Sequence, residues 1–265
     1  MEIVYKTSEQ IDLIRISSLL VGNTLAAVAE MIRPGITTDE MDAVAEDYIR
    51  SNAATPSFKN YKGYPKSLCI SVNEEVVHGI PGKRILKEGD VVSVDCGVFK
   101  NGYHGDSAYT FAIGEVPEET ERLLKITKES LFSGIEQAVA GNRLGDVSHA
   151  IQAHAEASNF GVVRELVGHG IGKRLHEKPE VPNYGKRGGG IMLKAGLVIA
   201  IEPMVNQGKK NVRQLEDGWT ITTADRMPSA HFEHTVAVQA GKADVLSSFA
   251  AIEEAVKLNK HLIKI

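Results

Sequence analysis

Cysteine is scarce: the 265 residues hold two, Cys69 and Cys96, each inside an apolar segment. A disulfide-stapled scaffold is thereby excluded, and the usage fits a reducing compartment. An excess of basic charge is also missing. The 30 Lys and Arg stand against 34 Asp and Glu, a formal charge of −4, whereas dedicated nucleic-acid binders are usually basic. No polybasic run reads as a membrane-surface patch. Long apolar runs are lacking as well. Glu2, Lys6, Glu9, Asp12 and Arg15 interrupt the N-terminal region, so neither a signal peptide nor an unbroken run of ~18 apolar residues is read there. These absences lead to the expectation of a cytoplasmic protein with no membrane span. Its composition, 43% hydrophobic and 24% charged, is ordinary for a globular chain.

What is present begins with two capping boxes. Thr7-x-x-Gln10 precedes Ile11, Ile14, Val21, Leu25, Val28 and Ile32, spaced by threes and fours once Ser18 is counted. That pattern predicts a long helix, stopped by Pro34-Gly35. Thr37-x-x-Glu40 opens a second helix carrying Met41, Val44, Tyr48 and Ile49. Residues 55–85, rich in Gly, Pro and Tyr, read as loops and short strands. The stretch 92-VSVDCGVFKNGYHGDSAYTFAIG-114 reads as a hairpin about Asn101-Gly102. Helices are expected near 119–140 and 145–159, then mostly strand and loop, then a short helix near 251–263.

The chain also echoes itself. The run 86-LKEGDVVSVD-95 matches 193-LKAGLVIAIE-202, an offset of 107 residues (202 − 95). Further on, 104-HGD-106 resembles 231-HFE-233 at an offset of 127 (233 − 106), and glycines follow eight residues later at Gly114 and Gly241. Two halves, about 1–114 and 115–250 of one domain, therefore share a helix–helix–strand–strand plan. The second half gains about twenty residues inside its hairpin, the difference between the two offsets.

The hairpin places Asp95 and Asp106 where the apolar pattern demands core. A lone buried carboxylate costs several kcal/mol unless it is paired or binds a metal. A type I′ turn at Asn101-Gly102 sets Asp106 opposite Gly97, two residues from Asp95 on the same face. Two carboxylates that close cannot both ionise comfortably without a cation between them. The echo adds Glu202 and Glu233. His169, in 168-GHGIGKRLHE-177, lies among Gly168, Gly170 and Gly172, which permit close backbone approach and suit a tight turn. Any one of these residues alone reads as a partnered core acid or an unremarkable loop histidine. Four acids at repeating positions with one imidazole read instead as a two-metal site for Mn, Fe, Co or Zn.

In the order Asp95, Asp106, His169, Glu202, Glu233, the chain resembles the pita-bread metallopeptidases of family M24, and among them the type I methionine aminopeptidases. The matching stretches are 63-GYPKSLCISVNEEVVHGIP-81, 94-VDCGVFKNGYHGDSAYTF-111, 168-GHGIGKRLHEKP-179, 200-AIEPMVN-206 and 218-GWTITTADRMPSAHFEHT-235. The resemblance implies an α+β fold: pseudo-twofold helix–helix–hairpin halves, a curved antiparallel sheet and outer helices. It implies two divalent metal ions. Asp95 would chelate one, His169 and Glu202 would bind the other, and Asp106 and Glu233 would bridge them. A water or hydroxide between the ions would be the nucleophile, with Glu202 as proton shuttle. His78 and His176 would face substrate and act in catalysis. Tyr61, Tyr64, Cys69, Leu175 and Trp219 match positions lining a methionine pocket, although Leu175 stands where an aromatic residue is common. Asn73 and Ser229 resemble residues near a monovalent cation site in some members. His104 and His231 precede the bridging acids by two residues, which alternation puts on the metal-facing side.

The activity implied is hydrolytic removal of the initiator methionine from nascent polypeptides whose second residue is small. The short form, without an N-terminal extension, is expected to be monomeric, with transient ribosome association. Prolidases and X-Pro aminopeptidases share the fold but usually carry a large N-terminal domain. Non-catalytic relatives that bind RNA or protein lose ligands, and this chain retains all five together with His78 and His176.

Overall fold

The computed structural model describes residues 2–265. The first capping box forms as read: the Thr7 hydroxyl accepts from the Gln10 N–H and the Gln10 side chain from the Thr7 N–H, opening α1 (Ser8–Met31). Thr37 and Glu40 do the same for α2 (Thr38–Ser51). After α2 come β1 (Thr55–Pro56), a 3-10 turn (Tyr61–Gly63), β2 (Leu68–Val72) and β3 (Glu75–Val77). The hairpin is β4 (Val91–Lys100) and β5 (Tyr103–Ala112), followed by α3 (Glu118–Gln137) and α4 (Leu144–Ala157). The remainder is β6 (Gly161–Val162), β7 (Gly168–Gly170), β8 (Glu177–Val181), β9 (Val198–Ile201), β10 (Met204–Asn206), β11 (Val212–Gln214), β12 (Ile221–Thr223), β13 (Ser229–His231), β14 (His234–Ala237), β15 (Asp244–Val245) and α5 (Ala250–Leu258).

Every strand ladder is antiparallel, and the strands divide among four short sheets. Strand β4 is the spine of the first, paired with β1, β2 and β5. The largest runs β15-β14-β9-β7-β8. Helices α1, α2 and α5 cover the first half and α3 and α4 the second. One buried apolar cluster draws on both, from Val21 and Leu25 through Val92 and Phe111 to Leu131, Ile199 and Phe232.

Two expectations change here. The sequence shows no unbroken apolar run, yet α1 is long and apolar enough, by length and composition, to cross a membrane (mean hydropathy 1.5). Its apolar window also contains small polar residues, and 61% of it is buried against the rest of the chain, as in the core helix of a globular protein. The C-terminal helix ends at Leu258, earlier than its periodicity suggests. Asn259 leaves the helical path and gives its side-chain N–H groups to the carbonyls of Ala29 and Ile32, at the end of α1 (both 2.8 Å).

Candidate metal centre

The hairpin register is the one the Asn-Gly turn dictates. Asn101 and Gly102 have φ of 53° and 82°, as a type I′ turn requires. Gly97 faces Asp106 and Asp95 faces Ala108, so both carboxylates leave one face of the sheet. In the second half Ile201 faces His234 and Met204 faces His231. One register therefore continues past a break at Glu202-Pro203, where Glu202 turns inward. The halves are stitched together by hydroxyls. Ser107 Oγ donates to the Glu233 carbonyl (2.6 Å), Thr235 Oγ1 to the Asp106 carbonyl (2.8 Å), and Thr110 Oγ1 to the His231 carbonyl (2.7 Å). These bonds set Asp106 beside Glu233 across a separation of more than 120 residues.

His169 lies in strand β7 rather than in the tight turn its glycines suggest. None of Gly168, Gly170 and Gly172 has a positive φ. They are needed for close packing: a Cβ on Gly168 would collide with the Ala200 carbonyl, and one on Gly170 with the Lys178 carbonyl. Strand β7 is thus squeezed between β8 and β9. The His169 Nδ1–H donates to the Gly170 carbonyl (2.9 Å), leaving the Nε2 lone pair to face Glu202 Oε1 (3.7 Å) and Asp106 Oδ2 (3.9 Å). Ligand atoms of Asp106, His169 and Glu233 converge within 4.8 Å of one another.

Electrostatics give the test of whether a cation fits. Asp106, Glu202 and Glu233 are pushed well above the usual carboxylate range, first by burial and then by the neighbouring acids, while burial raises Asp95 to about 7. Buried oxygens of Asp95 (Oδ1), Asp106 (Oδ1) and Glu233 (Oε1) find no hydrogen-bond partner among the described residues. Four crowded acids, three of them with orphaned oxygens, and an imidazole lone pair form a donor set that suits hard divalent ions.

His231, fully buried, brings Nε2 to 3.7 Å from Glu202 Oε2, which matches its expected place beside the ligands. His104 bonds through Nδ1 to Ser57 Oγ (2.8 Å) and packs on Phe99, while lying close enough to His169 and His176 to interact with both electrostatically. Alternation along β5 puts its Cβ on the metal-facing side. Asn73 and Ser229 are brought together, the Ser229 N–H donating to the Asn73 carbonyl (2.9 Å).

One cavity of about 170 Å³ holds Asp95, Asp106, His169, Glu202 and Glu233, together with His78, His176, Tyr61, Tyr64, Cys69, Leu175 and Trp219. Its apolar wall is part of a second buried cluster built on Ile11 and Ile14 of α1. Tyr64 packs edge-on to Trp219 (5.1 Å between centroids) and reaches the Leu68 and Gly79 carbonyls with its hydroxyl. Phe58 and Lys62 also line the cavity. Sequence reading missed both, although Phe58 lies three residues before Tyr61 in the same aromatic run. His78 adopts a left-handed backbone (φ 60°), a conformation uncommon outside glycine though more frequent for His, Asn and Asp than for other residues. The following Gly79 packs directly on β2, where a Cβ would strike the Ile70 carbonyl and where its own carbonyl accepts the Ile70 N–H (2.9 Å). His176 Nδ1 meets the Tyr61 hydroxyl (2.9 Å), and its ring lies 4.1 Å from that of His169. Crowding by surrounding atoms, then the nearby imidazoles and Lys62, lowers His176 to about 3 although the residue is exposed to solvent, and burial lowers His78. Both shifts favour the neutral ring.

The model of metallopeptidase family M24 matches residues 12–240. Methionine aminopeptidase of Clostridium perfringens is 53% identical over 245 residues, 92% of this chain and 98% of that protein. Methionine aminopeptidase 1 of Bacillus subtilis is 48% identical over 92% of the chain and 99% of its own length. The crystal structure of methionine aminopeptidase from Thermotoga maritima superposes with a TM-score of 0.92 at 42% identity, covering 93% of this chain and all of that one. A prolidase from Pyrococcus furiosus shares the fold at a TM-score of 0.75 and 22% identity, over 92% of this chain and 65% of its own. The architecture is thus the pita-bread fold, and the chain belongs to metallopeptidase family M24.

Proposed function

We propose that this chain hydrolyses the N-terminal methionine from new polypeptides whose second residue is small, using two divalent ions. The observation that carries the reading is the single cavity in which five metal-binding side chains, two neutral histidines and an apolar wall meet. Asp95 would chelate one ion, His169 and Glu202 the other, with Asp106 and Glu233 shared. The ions, when bound, would lower the pKa of water and polarise the scissile carbonyl.

The chain's own groups do the rest. The wall of Tyr61, Tyr64, Cys69, Leu175 and Trp219 is apolar and soft enough for an unbranched thioether. Leu175, buried in the same apolar cluster, gives that wall an aliphatic rather than an aromatic face. His78 and His176, neutral at pH 7, can each donate an N–H to developing oxyanion or hold the amide nitrogen. Glu202, lying between His169 and His231, is placed to carry a proton to the leaving amine. The reading implies a cytoplasmic monomer that meets chains transiently at the ribosome. Asn73 and Ser229 would bind a monovalent cation away from the chemistry.

Metal-stripped protein restored with Mn, Fe, Co or Zn, one at a time, tests the proposal by methionine release from Met-Ala-Ser. Release with at least one ion, and none from an X-Pro peptide, is expected. Folded protein silent with every ion overturns the enzyme reading, and preferred cleavage of X-Pro substrates replaces it with the prolidase one.

A further inference from the structure

Between His169 and His176 the chain leaves β7 and runs from 171 to 176 with no regular structure of its own. At its start the Ile171 N–H donates to the Val198 carbonyl (3.1 Å). The His104 N–H donates to the Gly172 carbonyl (2.8 Å), and the Gly172 N–H to the Arg174 carbonyl (3.1 Å). A further attachment is the carboxylate of Glu177, the residue directly after His176. Oε1 accepts the Arg174 N–H (3.2 Å), and Oε2 accepts Lys6 Nζ (2.7 Å). Lys6 donates also to the Val4 carbonyl (3.1 Å). The pair is deeply buried, with 2% of the Lys6 side chain and 8% of the Glu177 side chain exposed. Packing about it is tight, since a Cβ on Gly172 would lie 2.8 Å from both Glu177 Oε1 and Lys6 Cε.

The other end of this tie is equally firm. The Lys6 N–H donates to the Gly196 carbonyl (2.7 Å), and Tyr5 bridges to Leu197, just ahead of β9 and Glu202. Lys6 therefore links the strand that delivers a metal-binding acid to the loop that delivers a substrate-facing histidine. Neither Lys6 nor Glu177 is among the described residues lining the metal cavity. A buried ion pair returns little net stability, because desolvation offsets the attraction, but its direction-specific bonds hold one arrangement against others. Apolar residues of the same size would fill the space without preventing the loop from sliding. The Lys6 ammonium is itself disfavoured by burial, so the pair is an unfavourable choice for stability alone.

We propose that the buried Lys6–Glu177 pair is a positioning device for His176, fixing its imidazole against Tyr61 and over the scissile amide. The inference rests on the reading of His176 as substrate-facing. Lys6→Met should lower kcat by about 10- to 100-fold, the scale of a misplacement near 1 Å. KM should move little, because Tyr64, Cys69 and Trp219 come from other segments. Lys6→Arg, which keeps charge and donors, should recover most of kcat. The decisive comparison is a double-mutant cycle: in a His176→Ala background, Lys6→Met should cost nothing further in kcat. A signal independent of turnover comes from the His176 ring resonance in metal-loaded protein. It should shift or broaden in Lys6→Met and return in Lys6→Arg. Glu177→Gln, which keeps hydrogen-bonding capacity but not charge, supplies a second variant if Lys6→Met does not fold, and should show a smaller kcat loss with the same resonance change. Wild-type kcat in folded Lys6→Met or Glu177→Gln overturns the proposal, as does an additive loss in the cycle. A resonance change in a protein whose wild type releases no methionine would leave the positioning intact and sink the enzyme reading instead.

Discussion

The two halves of the molecule use the same strand pairing to different ends. In the first, β4 and β5 are joined by two residues and stay in register over ten, so Asp95 and Asp106 are set by local geometry alone. In the second, β9 and β10 face β13 and β14 in one continuing register, but residues 207–228 intervene. That insertion folds as β11 and β12, and β12 pairs across the molecule with β3, Ile221 opposite Val77. The strand before His78 is thus held by the second half's extra segment, which also carries Trp219 to the cavity wall. The repeated element supplies acids, and the unrepeated element adds Trp219 to the pocket wall. Duplication alone would make a symmetric cation site. The asymmetry makes it a site that can recognise a chain end.

Breaking the repeated part should do most damage. Asp106→Asn should cut methionine release by about 10³-fold or more, at or beyond the scale for losing one preorganised electrostatic group. It should leave the fold intact and make the metal-free protein more resistant to heat, since a buried acid is removed; normal turnover with metal present would refute a shared ligand. The asymmetric part should yield smaller losses. His78→Ala should lower kcat by about 10²-fold with metal affinity by calorimetry unchanged, and a fall in metal affinity of the same size would reassign His78 to the ligand set. Trp219→Ala should raise KM for methionyl peptides by about tenfold, the worth of one apolar contact in a pocket, with kcat nearly kept. An effect confined to kcat would argue that the insertion shapes chemistry rather than recognition.

The turn that organises the first half can be tested almost in isolation. A Cβ on Gly102 meets nothing within 4 Å, yet the residue sits at φ 82°. Gly102→Ala should therefore cost about 1–2 kcal/mol of backbone strain, some 2–4 °C of Tm per kcal/mol in a chain of this size, with activity preserved. The smallest effect should appear in acid. The hydrogen bond from Lys59, with those from Arg50 and Ser67, holds Glu46 on α2 down to about 2 from 4.5. Its folded pKa is depressed, so its contribution is complete above pH 4.5 and disappears as pH falls towards 2. The Tm difference between wild type and Glu46→Gln should shrink over that window; a difference flat with pH would show the bonds to be idle.

Legibility followed the range of the forces involved. Both capping boxes and the hairpin register were readable because each depends on residues a few positions apart and on the strand period of two. The facing of Asp106 and Gly97 needed only Asn101-Gly102. The glycines around His169 signalled closeness but not its kind. A tight turn and a strand squeezed between two neighbours call for the same residues, and β8 and β9 decide between them. Alternation placed His104 on its face but could not show its bond to Ser57, 47 residues away. The Ser107, Thr110 and Thr235 stitches have no pattern of their own, because a hydroxyl more than 120 residues from its acceptor leaves no local trace.

The sequence by itself determined which side chains could bind metal, because a carboxylate in an apolar strand is intolerable without a countercharge and the repetition of that fault marks it as purposeful. It determined the hairpin's register and the limits of the first two helices through short-range hydrogen bonding. Tertiary structure alone decided which hydroxyls stitch Asp106 to Glu233, that His176 bonds to Tyr61, and that Lys6 reaches Glu177 from 171 residues away. These pairings depend on how separate elements pack and exclude water. That arrangement is a property of the whole core and is encoded at no single position.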